Sequence, residues 1–167
     1  MKTLILYASN CGYTEDCAKK LKNMLSGEIA ILNIEKQAPQ DLSSYDTVLI
    51  GGSIYMGQIQ KKIKAFCSTN ENILQEKNLG LFISCATAVK DLEAIDAFYK
   101  SAFPEALLNH ADCIENFGGE LRMDKMKFSH RLIAKMMMKS AKEDQPPVRP
   151  LAENVEKMAT AINRLAS

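Results

Sequence analysis

Short apolar runs alternate with amphipathic stretches along the whole chain. Five runs have the length of strands, and the first is continuous rather than alternating, which indicates burial on both faces. The predicted strands are Lys2–Ala8, Glu28–Ile34, Asp46–Gly51, Leu79–Ser84 and Asp112–Phe117. Other stretches carry apolar residues at helical spacing. The predicted helices are Thr14–Leu25, Ile59–Phe66 with an uneven continuation to Glu76, Leu92–Ala102, Phe128–Ala141 and Leu151–Leu165.

This order of elements predicts an α/β fold. Five strands separated by helical stretches favour an open parallel sheet with right-handed crossovers and helices on both faces. The length of 167 residues and the absence of internal repeats predict a single domain over residues 1–167. Ligands of such sheets bind beyond the carboxyl ends of the strands, where the strand order reverses. The residues that follow each strand are therefore the candidates for function.

Composition narrows the possible functions. The 21 basic residues nearly balance the 20 acidic ones, which argues against nucleic-acid binding through overall charge. Five widely spaced cysteines without a C-x-x-C pair, and only two histidines, predict neither a disulfide framework nor a metal site. No apolar run is long enough for a transmembrane helix, and the amino terminus lacks a secretory signal. We expect a cytoplasmic protein without a bound metal.

The loop after the first strand has the composition of an anion site. It leads directly into a helix, whose first amides and dipole favour an anion. Its residues are Ser9, Asn10, Cys11, Gly12, Tyr13 and Thr14. The hydroxyls of Ser9 and Thr14 would be further donors, and a terminal phosphate fits this pattern. The loop matches neither the Walker nor the G-x-G-x-x-G nucleotide motif. Simple capping of the helix is the alternative that the loop alone leaves open.

Three segments of the chain together resemble the flavodoxins, which bind flavin mononucleotide (FMN). The S-x-C-G-x-T pattern of the first loop is similar to their T/S-x-T-G-x-T phosphate loop. The sequence VLIGGSIYMG at 48–57 and the sequence FGGELR at 117–122 resemble, more narrowly, the flavodoxin-fold quinone-dependent protoporphyrinogen oxidases. The resemblance covers nearly the whole chain in order and spacing. It implies a flavodoxin-like sheet with the strand order 2-1-3-4-5.

The resemblance also implies which residues bind FMN. The loop from Ser9 to Thr14 would hold the phosphate. The loop after the third strand would run along one face of the isoalloxazine ring, with Tyr55 or Met56 stacking on it, although Tyr55 as a core residue is an alternative. The remaining residues assigned to the cofactor are Ser53, Ile54, Gly57, Ser84, Cys85, Ala86, Thr87, Gly118 and Gly119. Glycines at 51, 52 and 57 would let the backbone approach a planar ligand closely.

Two departures from the flavodoxin pattern affect the interpretation. Cys11 stands where flavodoxins usually carry Thr, and a thiol is a weaker hydrogen-bond donor than a hydroxyl. Its place near a helix N-terminus makes a redox role of this thiol a further hypothesis. The loop after the fourth strand lacks the aromatic and acidic residues of electron-carrier flavodoxins. A flavin less covered on that side would be open to a flat organic substrate.

A basic helical insertion is predicted after the fifth strand, at about residues 120–145. From Gly118 to Lys142 the chain has seven basic residues against two acidic ones. Four of the basic residues recur at every fourth position beside an apolar face: Lys127, Arg131, Lys135 and Lys139. Such a helix either packs on the sheet or lies on an anionic membrane surface. The resemblance implies a quinone acceptor, which favours a peripheral location at the inner face of the membrane.

These observations predict an FMN-dependent oxidoreductase that oxidises protoporphyrinogen or a similar substrate. Its electron acceptor would be a quinone or a redox partner protein. A flavodoxin-type electron carrier without its own substrate is the alternative, and a flavin-free interaction module is a third. A receiver domain would need an aspartate at the end of the third strand, where Gly51, Gly52 and Ser53 stand. No catalytic acid or base is predicted, since the cofactor supplies the chemistry.

Overall fold

The computed structural model describes residues 1–85, 91–120, 122, 124 and 149–165. It confirms the predicted fold: five parallel strands form one open sheet with the order β2-β1-β3-β4-β5. The strands are β1 (Lys2–Ala8), β2 (Glu28–Asn33), β3 (Thr47–Ser53), β4 (Asn78–Ser84) and β5 (Cys113–Asn116). Each lies within two residues of its predicted bounds, and the apolar signal is clearest in β1, β3 and β4, which are buried on both faces.

Six helices lie in the described part of the chain. They are α1 (Tyr13–Met24), α2 (Lys61–Thr69), α3 (Glu71–Leu74), α4 (Leu92–Ala102), α5 (Glu105–His110) and α6 (Ala152–Leu165). The helix predicted from Ile59 with its continuation to Glu76 is in fact two helices. The predicted helix Phe128–Ala141 lies outside the described residues. In the described ranges, no helix has the length and apolar character needed to cross a membrane.

The sheet separates two apolar clusters. Alternate residues of β1 point to opposite faces, with Leu4 and Leu6 on one side and Ile5 on the other, all fully buried. The first face packs against α2, α3, α4 and α5, and the second packs against α1 and α6. Complete burial of such a side chain contributes roughly 1.5–3 kcal/mol. The central strands are therefore held firmly, and their carboxyl ends form a stable base for the loops that follow.

Two glycines of β3 serve the packing of the core. A Cβ at Gly51 would lie 2.3 Å from the ring of Phe82, and one at Gly52 would lie 2.3 Å from Oε1 of Gln60. The Phe82 ring in turn stacks on Phe117 with ring centroids 4.8 Å apart. Protein atoms thus fill the space that a Cβ would take at Gly51 and Gly52, and the close approach of this backbone to a planar ligand stays a prediction.

Candidate functional site

The loops predicted to carry function meet at one edge of the sheet. Parallel pairing aligns Ala8 with Gly52, Ser53 with Ser84, and Ile83 with Asn116, so the strands end side by side. In the sheet β2 lies on one side of β1, and β3, the next strand along the chain, lies on the other side of β1. The strand order therefore reverses at β1 and β3, the usual ligand position in such sheets.

The loop from Ser9 to Thr14 opens the first turn of α1. Gly12 precedes the helix with φ 85°, in the left-handed region that glycine adopts without a steric penalty. The Gly12 amide donates to Oγ of Ser9 at 3.0 Å, and no side chain caps the helix. The first amides of the helix therefore keep their capacity to bind an anion. This geometry disfavours simple side-chain capping as the purpose of the loop.

The Thr14 hydroxyl marks the same place. Its residue is 1% exposed, and Oγ1 has no hydrogen-bond partner among the residues that the structure describes. A buried hydroxyl without a partner costs about 1–3 kcal/mol. A phosphate oxygen at the N-terminus of α1 would accept a hydrogen bond from the Thr14 hydroxyl as well as hydrogen bonds from the neighbouring amides. The residues present therefore fit a phosphate ester.

Tyr13 contributes only its backbone to the loop, because its ring packs in the core. Its ring is buried between α1 and α6, and its hydroxyl donates to the carbonyl of Phe117 at 2.7 Å. Burial raises the pKa of Tyr13, and burial likewise raises the pKa of the neighbouring Cys17 thiol. Both groups are therefore protonated at neutral pH and carry no charge to the site.

The loop after β3 forms a tight turn. Tyr55 and Gln58 exchange two backbone hydrogen bonds, of 2.9 Å and 3.1 Å, across Met56 and Gly57. Both central residues have positive φ, 50° for Met56 and 76° for Gly57, as in the tightest hairpin turns. Met56 is 68% exposed, whereas Tyr55 is half-buried. Of the two predicted stacking residues, Met56 is the one that presents an apolar side chain to the outside.

Backbone hydrogen bonds connect the loops after β3, β4 and β5. The Ile54 amide donates to the Ser84 carbonyl at 2.7 Å, and the Cys85 amide donates to the Gly118 carbonyl at 2.9 Å. Like Thr14 Oγ1, the buried Oγ of Ser84 has no partner in the described ranges. Hydrogen bonds thus join these loops into one surface. The Ser84 hydroxyl, like that of Thr14, could donate to a ligand there.

Some predicted site residues have a packing role or lie outside the description. A Cβ at Gly118 would lie 2.3 Å from the carbonyl of Arg149, and the Gly119 amide donates to that carbonyl at 3.2 Å. Binding of the cofactor by Gly118 and Gly119 stays a prediction. Ala86 and Thr87 lie outside the described residues, as do Lys127, Arg131, Lys135 and Lys139 of the predicted basic helix.

Sequence reasoning missed two residues at this edge. Gln60 donates from Nε2 to Oγ of Ser53 at 2.5 Å, which ties the start of α2 to the end of β3. Arg122 lies over the ring of Tyr13, 5.7 Å from its centroid, and forms ion pairs with Asp16 and Glu120. The contacts of Arg122 with Tyr13 and Asp16 depend on how distant parts of the chain fold together, and the bond from Gln60 to Ser53 depends on the turn that joins β3 to α2. No group of metal-ligating side chains occurs in the described ranges.

A family model described as a flavodoxin domain matches residues 4–147. The chain belongs to the flavodoxin domain family. Flavodoxins bind FMN and exchange electrons with redox partner proteins. Membership in this family disfavours the flavin-free interaction module. The narrower resemblance to protoporphyrinogen oxidases is not part of this assignment.

Solved structures share the fold of this flavodoxin domain. A short-chain flavodoxin associated with a non-canonical PDU bacterial microcompartment matches all of both chains, with 16% identity and a TM-score of 0.58. Flavodoxin 2 from Bacillus cereus has 22% identity and a TM-score of 0.53, over 84% of this chain and 100% of its own. A flavoprotein from Lactobacillus acidophilus NCFM, solved in complex with FMN, has 19% identity and a TM-score of 0.52, over 69% and 92%. A comparison with curated proteins gave no match.

Proposed function

We propose that this flavodoxin domain is an FMN-dependent oxidoreductase. It takes electrons from a small organic substrate and passes them to a quinone or a protein acceptor. The observation that carries the cofactor site is the buried, unpartnered hydroxyl of Thr14 beside the open amides of α1. These groups would donate hydrogen bonds to the phosphate of FMN. Ser9 keeps the loop in shape through its bond to Gly12, and Ser84 would add a donor from β4.

Exposed apolar side chains support a flat organic substrate. Met56 stands at the tip of the loop after β3, and Leu92 begins α4, shortly after β4. They are 68% and 73% exposed, and each follows a strand of the sheet at the edge where ligands of such folds bind. Met56 would contact the isoalloxazine ring, while Leu92 would give the substrate an apolar surface to contact.

The cofactor supplies the redox chemistry, since a bound flavin accepts electrons from a donor and passes them on. The residues of the chain orient it and exclude water from its phosphate end. Because the flavin supplies the redox chemistry, no protonatable side chain of the protein has to take part. The proposal therefore assigns no acid or base to the protein.

Protoporphyrinogen is the substrate that the sequence resemblance suggests. Anaerobic turnover of protoporphyrinogen with a menaquinone analogue would test this assignment. If the protein holds FMN but turns over no such substrate, the oxidase proposal is wrong. Reduction of the bound flavin by a flavodoxin reductase would then support the second candidate, an electron carrier, which the family membership favours.

Membrane contact through the predicted insertion at about 120–145 is a separate part of the proposal. The whole chain would be one domain, cytoplasmic, with Lys127, Arg131, Lys135 and Lys139 near the inner face of the membrane. Co-sedimentation with anionic vesicles should then occur and weaken with salt. Binding that is absent, or insensitive to salt, would leave a helix packed on the protein as the alternative.

Thr14→Val tests the phosphate site directly. Valine keeps the shape of the side chain but cannot donate, so we expect FMN to bind about tenfold to a hundredfold more weakly. The apoprotein should be no less stable, because the buried hydroxyl has no partner to lose. Flavin fluorescence titration and denaturant unfolding measure the two effects.

Thr160→Val is the matched control, because this exposed hydroxyl donates within its own helix, to the Glu156 carbonyl of α6. It should leave FMN affinity unchanged. If Thr14→Val binds FMN as tightly as the original protein does, the phosphate binds elsewhere and the proposed site is incorrect.

A further inference from the structure

Two carboxylates lie at the helix end that is proposed to bind phosphate. Glu15 and Asp16 belong to the first turn of α1. Their charge is favourable toward the helix dipole. It is unfavourable toward a second anion at the same end, because like charges repel. The loop from Ser9 to Thr14 has no charged side chain of its own to offset this repulsion.

Each carboxylate has a cationic partner. Nζ of Lys19, one helical turn along α1, lies 2.7 Å from Oε1 of Glu15. The partner of Asp16 comes from outside the helix, since Nη1 of Arg122 lies 2.5 Å from Oδ2 of Asp16. These two residues are 106 positions apart in sequence. Of the two negative charges in the first turn of α1, the one on Asp16 is therefore balanced by a residue from a distant segment.

Arg122 is held in place from three sides. Its Nε donates to Oε2 of Glu120 at 2.6 Å, its Nη1 donates to Asp16, and its guanidinium covers the ring of Tyr13. The side chain is only 20% exposed, less than either carboxylate. An arginine fixed in this way is a permanent positive charge beside the first turn of α1.

We propose that Arg122 is the charge-compensating residue of the phosphate loop: it neutralises Asp16 and thereby sets the affinity of the site for a phosphate ester. This inference rests on the proposed FMN site. Arg122 acts through Asp16 and is not a catalytic residue. Its effect should be specific for the phosphate, so it favours FMN over riboflavin, which has the same ring and no phosphate.

A purely mechanical role makes a different prediction. Arg122 could serve only to fasten the segment after β5 onto α1. Its loss would then disturb the loops as a whole and weaken FMN and riboflavin equally. Comparison of the two flavins therefore separates electrostatic from mechanical action.

The test is a set of dissociation constants for FMN and riboflavin at low ionic strength. Arg122→Gln should weaken FMN binding about fivefold, the upper range for an exposed charge pair, and leave riboflavin within about twofold. Arg122→Lys retains the charge and should retain most of the FMN affinity. Asp16→Asn alone should tighten FMN binding, and in the Arg122→Gln background it should restore it.

The control is Lys100→Gln, which breaks a similar pair of 2.6 Å with Asp96 on α4 and should change neither constant. Equal weakening of both flavins by Arg122→Gln, or no weakening of FMN, would overturn the inference. If Arg122→Gln does not fold, Asp16→Asn still decides, since unchanged FMN affinity contradicts charge compensation. A failure of the unmodified protein to bind FMN would instead overturn the proposed site.

Discussion

At the scale of single residues, Cys11 is where the phosphate loop departs from the flavodoxin pattern. Its half-buried side chain packs against the apolar cluster between the sheet and helices α1 and α6. Ser9, by contrast, accepts a hydrogen bond from the Gly12 amide, and the buried Thr14 hydroxyl has no partner among the described residues. Phosphate binding by these two hydroxyls stays a prediction, which the sequence supports because a loop between a strand and a helix is a short-range motif. The partner of Asp16 is not predictable in this way.

Cys11→Thr should strengthen FMN binding. A hydroxyl is a better donor than a thiol, and one added hydrogen bond to a phosphate oxygen corresponds to about threefold to tenfold in affinity. Loss of the apolar contact should lower the free energy of unfolding of the apoprotein by at most about 1 kcal/mol. Flavin titration and chemical denaturation measure both quantities.

Cys113→Thr is the matched control, since it makes the same chemical change at the start of β5, away from the carboxyl edge. It should leave FMN affinity as it was. Unchanged or weaker binding in Cys11→Thr would mean that residue 11 serves the core and not the phosphate.

At the scale of elements, strands were predicted more closely than helices. The segment from Ile59 to Glu76 looked like one uneven helix, but the Asn70 side chain bonds to the carbonyl of Phe66 at 2.8 Å and α2 ends there. Helix α5 escaped prediction, because six residues after Pro104 are too short for a clear periodicity. Gly51 and Gly52 of β3 also have packing partners that the local sequence does not indicate, Phe82 on β4 and Gln60 just before α2.

Gly51→Ala should destabilise the β3–β4 pair. The new Cβ would meet the Phe82 carbonyl and ring at 2.2–2.3 Å, so strand or ring must move. Overpacking of this kind costs about 1–3 kcal/mol. Gly57→Ala is the comparison. Among the described residues its Cβ has Phe98 alone nearby, at 3.8 Å, so the change meets mainly the penalty of a positive φ, roughly 1–2 kcal/mol.

Equilibrium unfolding in urea measures both variants. A loss in Gly51→Ala below about 1 kcal/mol would mean that β3 and the Phe82 ring shift at little cost. The tight approach of Phe82 would then not be needed for stability.

At the scale of the whole molecule, the candidate site is made by the sheet rather than by any one motif. The phosphate loop belongs to the face covered by α1 and α6, while Met56 follows a strand whose other face packs on α2 and α4. Bonds among the loops after β3, β4 and β5 connect these parts. The order of strands was predictable through family resemblance, but the connections between loops required the structure.

FMN should therefore stabilise the entire domain. A ligand at about 100 times its dissociation constant adds about 2.7 kcal/mol to the free energy of unfolding. For a domain of this size that corresponds to a rise of about 5–10 °C in the melting temperature. Because the site draws on β1, β3 and β4 together, flavin release and loss of helical circular dichroism should share one midpoint. Flavin release well below the midpoint of unfolding would show that the loops open independently, and no shift with excess FMN would contradict the site itself.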